Sequence, residues 1–422
     1  MEKVINMKIL FVLDSMSDWC GANVNIAITI KKQLKQIGCE VFALAKYDSK
    51  RPPSTTVIKS FDKVYFLDSD TFELFHSVTN NNKISRKNNS FIWLLKHPGT
   101  LFKTIDIIIF NAYFTKREFS KKIDEICMNH NIDAVIGVAF PYYLAEAVAM
   151  SKTDAIKTVY QLDPYTNNYK LSNTKKESRR RIESEVIEKL DILFAANFVK
   201  DDLLKEFGIK KPSKIVETNI PGIKVEEVKT KVYMKEEYSQ TIDFLFAGKF
   251  YQDIRNPKYL LEIFSELPLN YILHIAGTGC ENIISLYKER LGNRLIQYGQ
   301  VSKQKVNELV QCSNILINVD NTIYNQMPSK IVDYICTGKK IINFCKSPNT
   351  LSNHLLENYS NGISIYEDDI DIKNNVEKII RFIKVKSDNI SENEILENYI
   401  EYTDKFVSKL IFDSLNQFRK NR

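Results

Sequence analysis

The feature that most constrains the fold is a grammar of short apolar runs, each followed by a segment with helical spacing. Lys8-Ile-Leu-Phe-Val-Leu13 is apolar without interruption after its lysine, as a strand covered on both faces must be. A polar loop runs from Asp14 to Ala22. Then Ile26, Ile30, Leu34 and Ile37 share one face of a helix that Gly38 stops, and Val41–Ala45 is a second run. A β-α-β unit of this kind predicts a parallel sheet with a right-handed crossover. The alternation returns at 132–137, 157–162 and 191–196, with a helix from Asn197 to Gly208. It breaks near Thr218–Gly222 and across the charged stretch Lys224–Glu237. Strands resume at 241–247, 270–276, 294–298, 314–319, 340–344 and 362–366.

A chain of 422 residues exceeds one ordinary core. The expectation is an α/β protein of two doubly wound domains facing a central cleft. The first would span 1–222 and the second 223–395. A C-terminal helix in 396–422, apolar at Phe406, Leu410 and Phe418, would pack back on the first. Within 46–104, Asn80–Lys83 and Lys87–Ser90 read as loops, so this part is expected to hold helical excursions or a lid.

Composition excludes several classes. Hydrophobic residues make up 44%, yet no apolar run reaches the roughly 18 residues of a membrane span. The start of the chain lacks the apolar stretch and cleavage site of a signal peptide, so a cytoplasmic location is expected. Seven cysteines, Cys20, Cys39, Cys127, Cys280, Cys312, Cys336 and Cys345, are scattered without metal-ligand spacing, as free thiols in a reducing compartment would be. The net charge of +7 gathers at Lys175–Arg181 and Lys116–Lys122. Two readings of these runs stay open: a solvated helix face, or attraction to an anionic surface such as the inner face of a membrane. No nucleic-acid-binding signature accompanies the charge.

Open parallel sheets bind ligands at the carboxyl ends of their strands, and four segments stand there. In Asp18–Asn23, Gly21 lets backbone approach a ligand ahead of a helix N-terminus. In Phe246–Phe250, Gly248 closes a strand and Lys249 follows at once, with Arg255 six residues on; the two cations could clamp a diphosphate. Ile275–Gly279 is a glycine turn, too short for a dinucleotide fingerprint, and is expected to line the cleft. In Asn325–Asn343, Pro328 and Ser329 open a helix whose N–H groups suit phosphate. Asp333, one turn in, can accept from a ribose diol, and Gly338 ends the helix.

These residues carry a resemblance to the large GT-B family of retaining glycosyltransferases, with two Rossmann-like domains and nucleotide-sugar donors, often in bacterial polysaccharide assembly. It covers most of the chain and is strongest from Phe244 to Tyr366. Pro328-Ser-Lys-Ile-Val-Asp-Tyr-Ile-Cys-Thr-Gly-Lys-Lys-Ile-Ile342 resembles that family's donor-binding helix, which brings in Lys330. Gly21-Ala22 resembles its N-terminal glycine loop. Gly248-Lys249 stands where the family has Gly-Arg, Arg255 resembles its second phosphate-binding cation, and Asp163-Pro164 resembles an Asp-Pro that some members carry. Gly299-Gln-Val301 resembles the turn whose backbone reads the base. Where the family motif is Glu, seven residues, Glu, this chain has Asn325 and Asp333.

The resemblance implies transfer of a sugar, with retention, from a UDP-linked donor to a glycan or lipid-linked acceptor. Asp163, Asn325, Lys249 and Arg255 would stand at the reacting centre. No cofactor beyond the nucleotide-sugar co-substrate is implied. No metal is expected either, because cations can stabilise the departing diphosphate and no Asp-x-Asp stands in a metal-binding context. Two alternatives share the fold: a nucleotide-sugar epimerase, and a non-catalytic partner subunit, the latter suggested by the loss of charge at Asn325.

Overall fold

The computed structural model describes residues 7–16, 22–47, 52–67, 112–167, 173–207, 214–225, 241–322, 326–367, 371–386 and 390–422. They pack into two compact units, 1–219 with 407–422, and 220–406. The sequence reading puts the divide after Gly222 and starts the returning tail at 396. The packing places Ile220–Gly222 in unit 2 and starts the returning tail at Val407; Ile223, in unit 2 on both readings, bridges Thr403 and its N–H donates to the Tyr402 carbonyl (3.0 Å).

Unit 1 runs β1 (Lys8–Leu13), α1 (Ala22–Gln36), β2 (Glu40–Lys46), α2 (Thr55–Ser60), β3 (Lys63–Leu67), α3 (Tyr113–His130), β4 (Ala134–Val138), α4 (Tyr143–Met150), β5 (Ile156–Gln161), α5 (Asn173–Lys189), β6 (Ile192–Ala196), α6 (Asn197–Phe207) and β7 (Ile215–Thr218). Its strands form one parallel sheet in the order β3-β2-β1-β4-β5-β6-β7. The order reverses between β1 and β4, and the carboxyl ends part there. Expected helix α1 forms with Ile26, Ile30 and Leu34 buried, whereas Ile37 falls beyond its end and is exposed. Gly38 takes φ of 99°, a conformation that costs a side chain but not glycine. Within 46–104 the described part holds α2 and β3, an added sheet strand; the loops expected at 80–83 and 87–90 lie outside the described residues.

Unit 2 runs β8 (Ile242–Ala247), α7 (Lys258–Glu266), β9 (Tyr271–Ala276), α8 (Glu281–Leu291), β10 (Leu295–Gly299), α9 (Lys303–Cys312), β11 (Ile315–Val319), α10 (Lys330–Ile335), β12 (Lys340–Cys345), α11 (Leu351–Leu356), β13 (Gly362–Tyr366), α12 (Ile372–Lys384) and α13 (Glu392–Asn398). Its sheet is also parallel, β10-β9-β8-β11-β12-β13, with the switch between β8 and β11. Phe244, Phe264, Leu273, Ile317 and Phe344 anchor its core. Each such side chain contributes about 1.5–3 kcal/mol by leaving water. Two adjacent lysines close helix ends: Lys339 donates to the Val310 and Gln311 carbonyls of α9 (both 2.7 Å), and Lys340 to the Phe382 and Ile383 carbonyls of α12 (2.7 and 3.0 Å).

Helix α14 (Asp404–Asn421) begins at the edge of unit 2, and from Val407 it belongs to unit 1. Its buried stripe is Val407, Ile411 and Leu415, with Phe412; Phe406, expected on that face, is exposed. The spacing of four selects this stripe.

Candidate active site

In unit 2 the carboxyl ends of β8 and β11 bring together most of the residues singled out in the sequence. Gly248 closes β8. The next turn folds back on itself: the Tyr251 N–H donates to the Arg255 carbonyl (3.1 Å) and the Arg255 N–H to the Tyr251 carbonyl (2.9 Å). That hairpin returns Arg255 to the strand end, where its Nη1 donates to the Lys249 carbonyl (3.4 Å). Across the switch point, Asn321 follows β11. Its Oδ1 accepts from Arg255 Nε (3.2 Å) and Nη2 (2.9 Å). Burial draws the guanidinium pKa down, and the nearby Asp320 carboxylate opposes the shift. Asp320 is itself buried, with Oδ1 accepting from the Ser352 hydroxyl and the Asn321 N–H (both 2.9 Å). Burial pushes its pKa up, against the donors around it and Arg255.

Lys249 is placed differently. Its side chain is exposed, with Nζ 5.2 Å from the centre of the Tyr251 ring. The two cations on this loop are thus held differently: Arg255 is anchored, and the Lys249 side chain is exposed.

The glycine turn serves this loop. The Gly248 N–H donates to the Ala276 carbonyl (3.0 Å) and the Phe250 N–H to the Thr278 carbonyl (2.9 Å). Cβ atoms on Gly277 and Gly279 would overlap the carbonyl oxygens of Gly248 and Phe250. Two side-chain-free positions thus let one loop lie directly on the other.

Helix α10 completes the cluster. Pro328 and Ser329 precede it, and its Ile331, Val332, Tyr334 and Ile335 are buried while Asp333 stays exposed. The buried Tyr334 hydroxyl accepts from the Ala247 N–H (3.2 Å), tying the helix to the end of β8. Asp333 Oδ2 pairs with Lys330 Nζ at 2.9 Å, and this carboxylate holds the lysine pKa above its ordinary value. Gly222 lies against the same helix: a Cβ there would stand 2.6 Å from Val332 Cγ1 and 3.5 Å from Asp333 Oδ1. Val301 follows β10, the edge strand, with β9 between it and β8; Gly299 before it takes φ of 66°. Gly21 and Asn325 lie outside the described residues.

Unit 1 carries its own polar cluster. Asp163 follows β5 and is half-buried; its carbonyl accepts from Gln161 Nε2 (3.2 Å). The same Nε2 donates to Glu183 Oε1 (2.8 Å), while Glu183 Oε2 accepts from the Thr166 N–H (3.1 Å) and hydroxyl (2.5 Å). Glu183, 1% exposed, so fastens both ends of the segment bearing Asp163. At the switch between β1 and β4, the Tyr143 hydroxyl donates to Asp14 Oδ1 (2.6 Å). The basic runs are partly spent internally: Lys116 pairs with Glu146, and Arg179 covers the Tyr165 ring at 4.6 Å.

Sequence reasoning missed Asn321, Tyr334 and Asp320, and in unit 1 Asp14, Tyr143 and Glu183. A polar residue directly after an apolar strand, as Asp14 and Asp320-Asn321 are, is a signal that could have found three of them. Among the described residues no His, Cys, Asp and Glu group is arranged to hold a metal ion, and no helix is long and apolar enough to cross a membrane.

No family model and no curated protein sequence matches the chain. Solved structures do. The lipopolysaccharide outer core galactosyltransferase WaaB, in its apo form, is 15% identical with a TM-score of 0.58 over 97% of this chain and 99% of its own. A glycosyltransferase from Rickettsia africae is 16% identical, TM-score 0.63, over 99% and 100%. Anabaena HepE in complex with UDP and glucose is 12% identical, TM-score 0.64, over 98% and 100%. Two parallel, doubly wound sheets and likeness across the whole length of these enzymes establish that the chain has the GT-B glycosyltransferase fold.

Proposed function

We propose that this chain is a glycosyltransferase that moves a sugar from a UDP-linked donor to a glycan or lipid-linked acceptor with retention of configuration. The observation that carries the reading is the Arg255 guanidinium, fixed at the switch point of unit 2 beside the Gly248–Lys249 strand end. A sheet of this kind takes its ligand at that point. The complex of HepE with UDP and glucose supports a nucleotide donor on this fold.

In the transfer, the bond from the anomeric carbon to the diphosphate oxygen breaks and the electron pair leaves with the diphosphate. A bond to the acceptor hydroxyl oxygen forms, and that hydroxyl gives up its proton. Arg255 stabilises the charge that grows on the diphosphate, with Lys249 adding a longer-range field. Gly248 lets the phosphates approach the backbone, and the Pro328-Ser329-Lys330 turn borders them. Asp333 takes the ribose diol, and the backbone at Val301 reads the base. By the sequence resemblance, Gly21, Asn325 and Asp163 are assigned to the transferred sugar and the acceptor, with Asp163 as base. Catalysis needs no divalent metal in this scheme, because protein cations hold the leaving group. The exposed Lys175 and Arg181 go with a lipid-linked acceptor and a peripheral membrane position.

Incubating the purified chain with a panel of UDP-sugars, with and without EDTA, tests the proposal. Slow release of UDP that EDTA leaves unchanged is expected. An inert subunit would release none, an epimerase would return an isomerised UDP-sugar, and restoration of activity by manganese would overturn metal independence.

A further inference from the structure

Asn321 is uncharged at a position where a carboxylate would make the stronger partner for Arg255. It is buried, at 7% exposure, and its two amide ends do different things. Oδ1 accepts from Nε and Nη2 of Arg255. Nδ2 donates to the Gln326 carbonyl (2.8 Å), in the stretch that leads through Pro328 into α10. One side chain therefore links β11, the guanidinium and the approach to the helix that carries Asp333.

Among the described residues, part of the arginine's donor capacity is unused. A guanidinium has five N–H groups. Asn321 and the Lys249 carbonyl engage three of them: Nε, one on Nη2 and one on Nη1. What is left, among the described residues, is one N–H on each terminal nitrogen. Terminal guanidinium N–H groups of this kind are the donors that grip phosphate oxygens. An aspartate at 321 would hold the arginine equally well, but it would place a full negative charge against a cation whose task is to meet another anion.

We propose that Asn321 is the positioning residue for Arg255: it fixes the guanidinium for the diphosphate without putting a carboxylate in contact with it, the neighbouring Asp320 Oδ1 being engaged by Ser352 and the Asn321 N–H. This rests on the reading that Arg255 binds the donor diphosphate. Asn321→Asp is the sharp variant, because it keeps size and the acceptor oxygen for Arg255; it loses the Nδ2 bond to the Gln326 carbonyl, so its thermal midpoint should fall somewhat, and binding is read at a temperature where the variant is folded. Asn321→Ala instead removes the anchor.

Calorimetric titration with UDP and, separately, with uridine reads the effect. Asn321→Asp should weaken UDP binding by roughly 10- to 100-fold and leave uridine binding unchanged, since only UDP carries phosphate. In an Arg255→Ala background, Asn321→Asp should cost nothing further, because the residue acts through the arginine. The same loss in both backgrounds, or wild-type UDP affinity for both Asn321→Asp and Asn321→Ala while Arg255→Ala is impaired, overturns the proposal. Wild-type UDP affinity in Arg255→Ala itself would instead remove the reading of Arg255 as the diphosphate cation, and the role of Asn321 with it.

Discussion

The Cα of Gly277 lies so close to the carbonyl oxygen of Gly248 that any side chain there would overlap it. The turn after β9 thus bears directly on the strand end that leads into the Arg255 hairpin. Gly277→Ala must push the two loops apart and loosen the bond from the Gly248 N–H to the Ala276 carbonyl. We expect a loss of about 2–4 kcal/mol in urea unfolding, the range of core overpacking and backbone strain combined. Stability equal to wild type would show that the loops can separate without cost.

Glu183 gives a pH-dependent prediction. Burial raises its pKa above the ordinary carboxyl value, only partly offset by the donors from Thr166 and Gln161, and Asp202 raises it further. A carboxyl with its folded pKa above its unfolded one binds its proton more tightly when folded. Its contribution to stability is full below the unfolded value and is lost as pH rises through the folded one. Glu183→Gln cannot ionise and lacks this dependence. The thermal midpoint of the variant, relative to wild type, should therefore rise as pH increases above the ordinary glutamate pKa. Parallel curves of midpoint against pH above the ordinary glutamate pKa would contradict a raised pKa.

Glu183 also shows where sequence reading stops. It lies in α5, behind Lys175–Arg181, and a charge-rich helix reads as a solvated face; only tertiary packing buries this one carboxylate. Lys339 and Lys340 are the same case, lysines that end up against helix carbonyls. The central strands were legible because both their faces are covered, so apolar residues run without a break. β7, Ile215–Thr218, has four residues and half-buried Val216 and Glu217, too little signal to stand out. The candidate site was legible where charge or glycine marked it, at Gly248, Lys249, Arg255 and Asp333. Asn321 carries no such mark, and its role depends on which strand lies beside β8. That order of strands is set by packing of distant segments, which local pattern does not encode.

Asp333 is exposed on a helix that otherwise buries its face, and its ion pair with Lys330 is a surface pair. Such pairs contribute under about 1 kcal/mol to stability. Asp333→Ala should therefore leave the unfolding midpoint almost unchanged. If the carboxylate receives the ribose hydroxyls, the same variant should weaken nucleotide binding by about 1–3 kcal/mol. Unchanged UDP affinity by calorimetry would remove Asp333 from the donor site.

The last prediction separates the two cations on the β8 loop. Arg255 is held by Asn321 and by the Lys249 carbonyl and is partly withdrawn from water, so its N–H groups are aimed before the reaction begins. Lys249 is exposed, and its ammonium rests over Tyr251. A fixed, desolvated cation aimed at growing charge is worth about 3–4 kcal/mol, or about 100- to 1000-fold in turnover. A mobile surface cation contributes under about 1 kcal/mol, since water and salt screen it. Arg255→Ala should therefore lower turnover at saturating donor by about 100-fold or more, and not merely raise KM. Arg255→Lys keeps charge but loses the planar fork and the paired hydrogen bonds to Asn321 Oδ1, so it should fall between Arg255→Ala and wild type. Lys249→Ala should lose less than about 10-fold, with the loss shrinking as salt is added. Equal, large losses for Lys249→Ala and Arg255→Ala would mean that Lys249 leaves the surface and closes on the donor when it binds. Wild-type turnover in both would mean that the leaving group is stabilised from somewhere else.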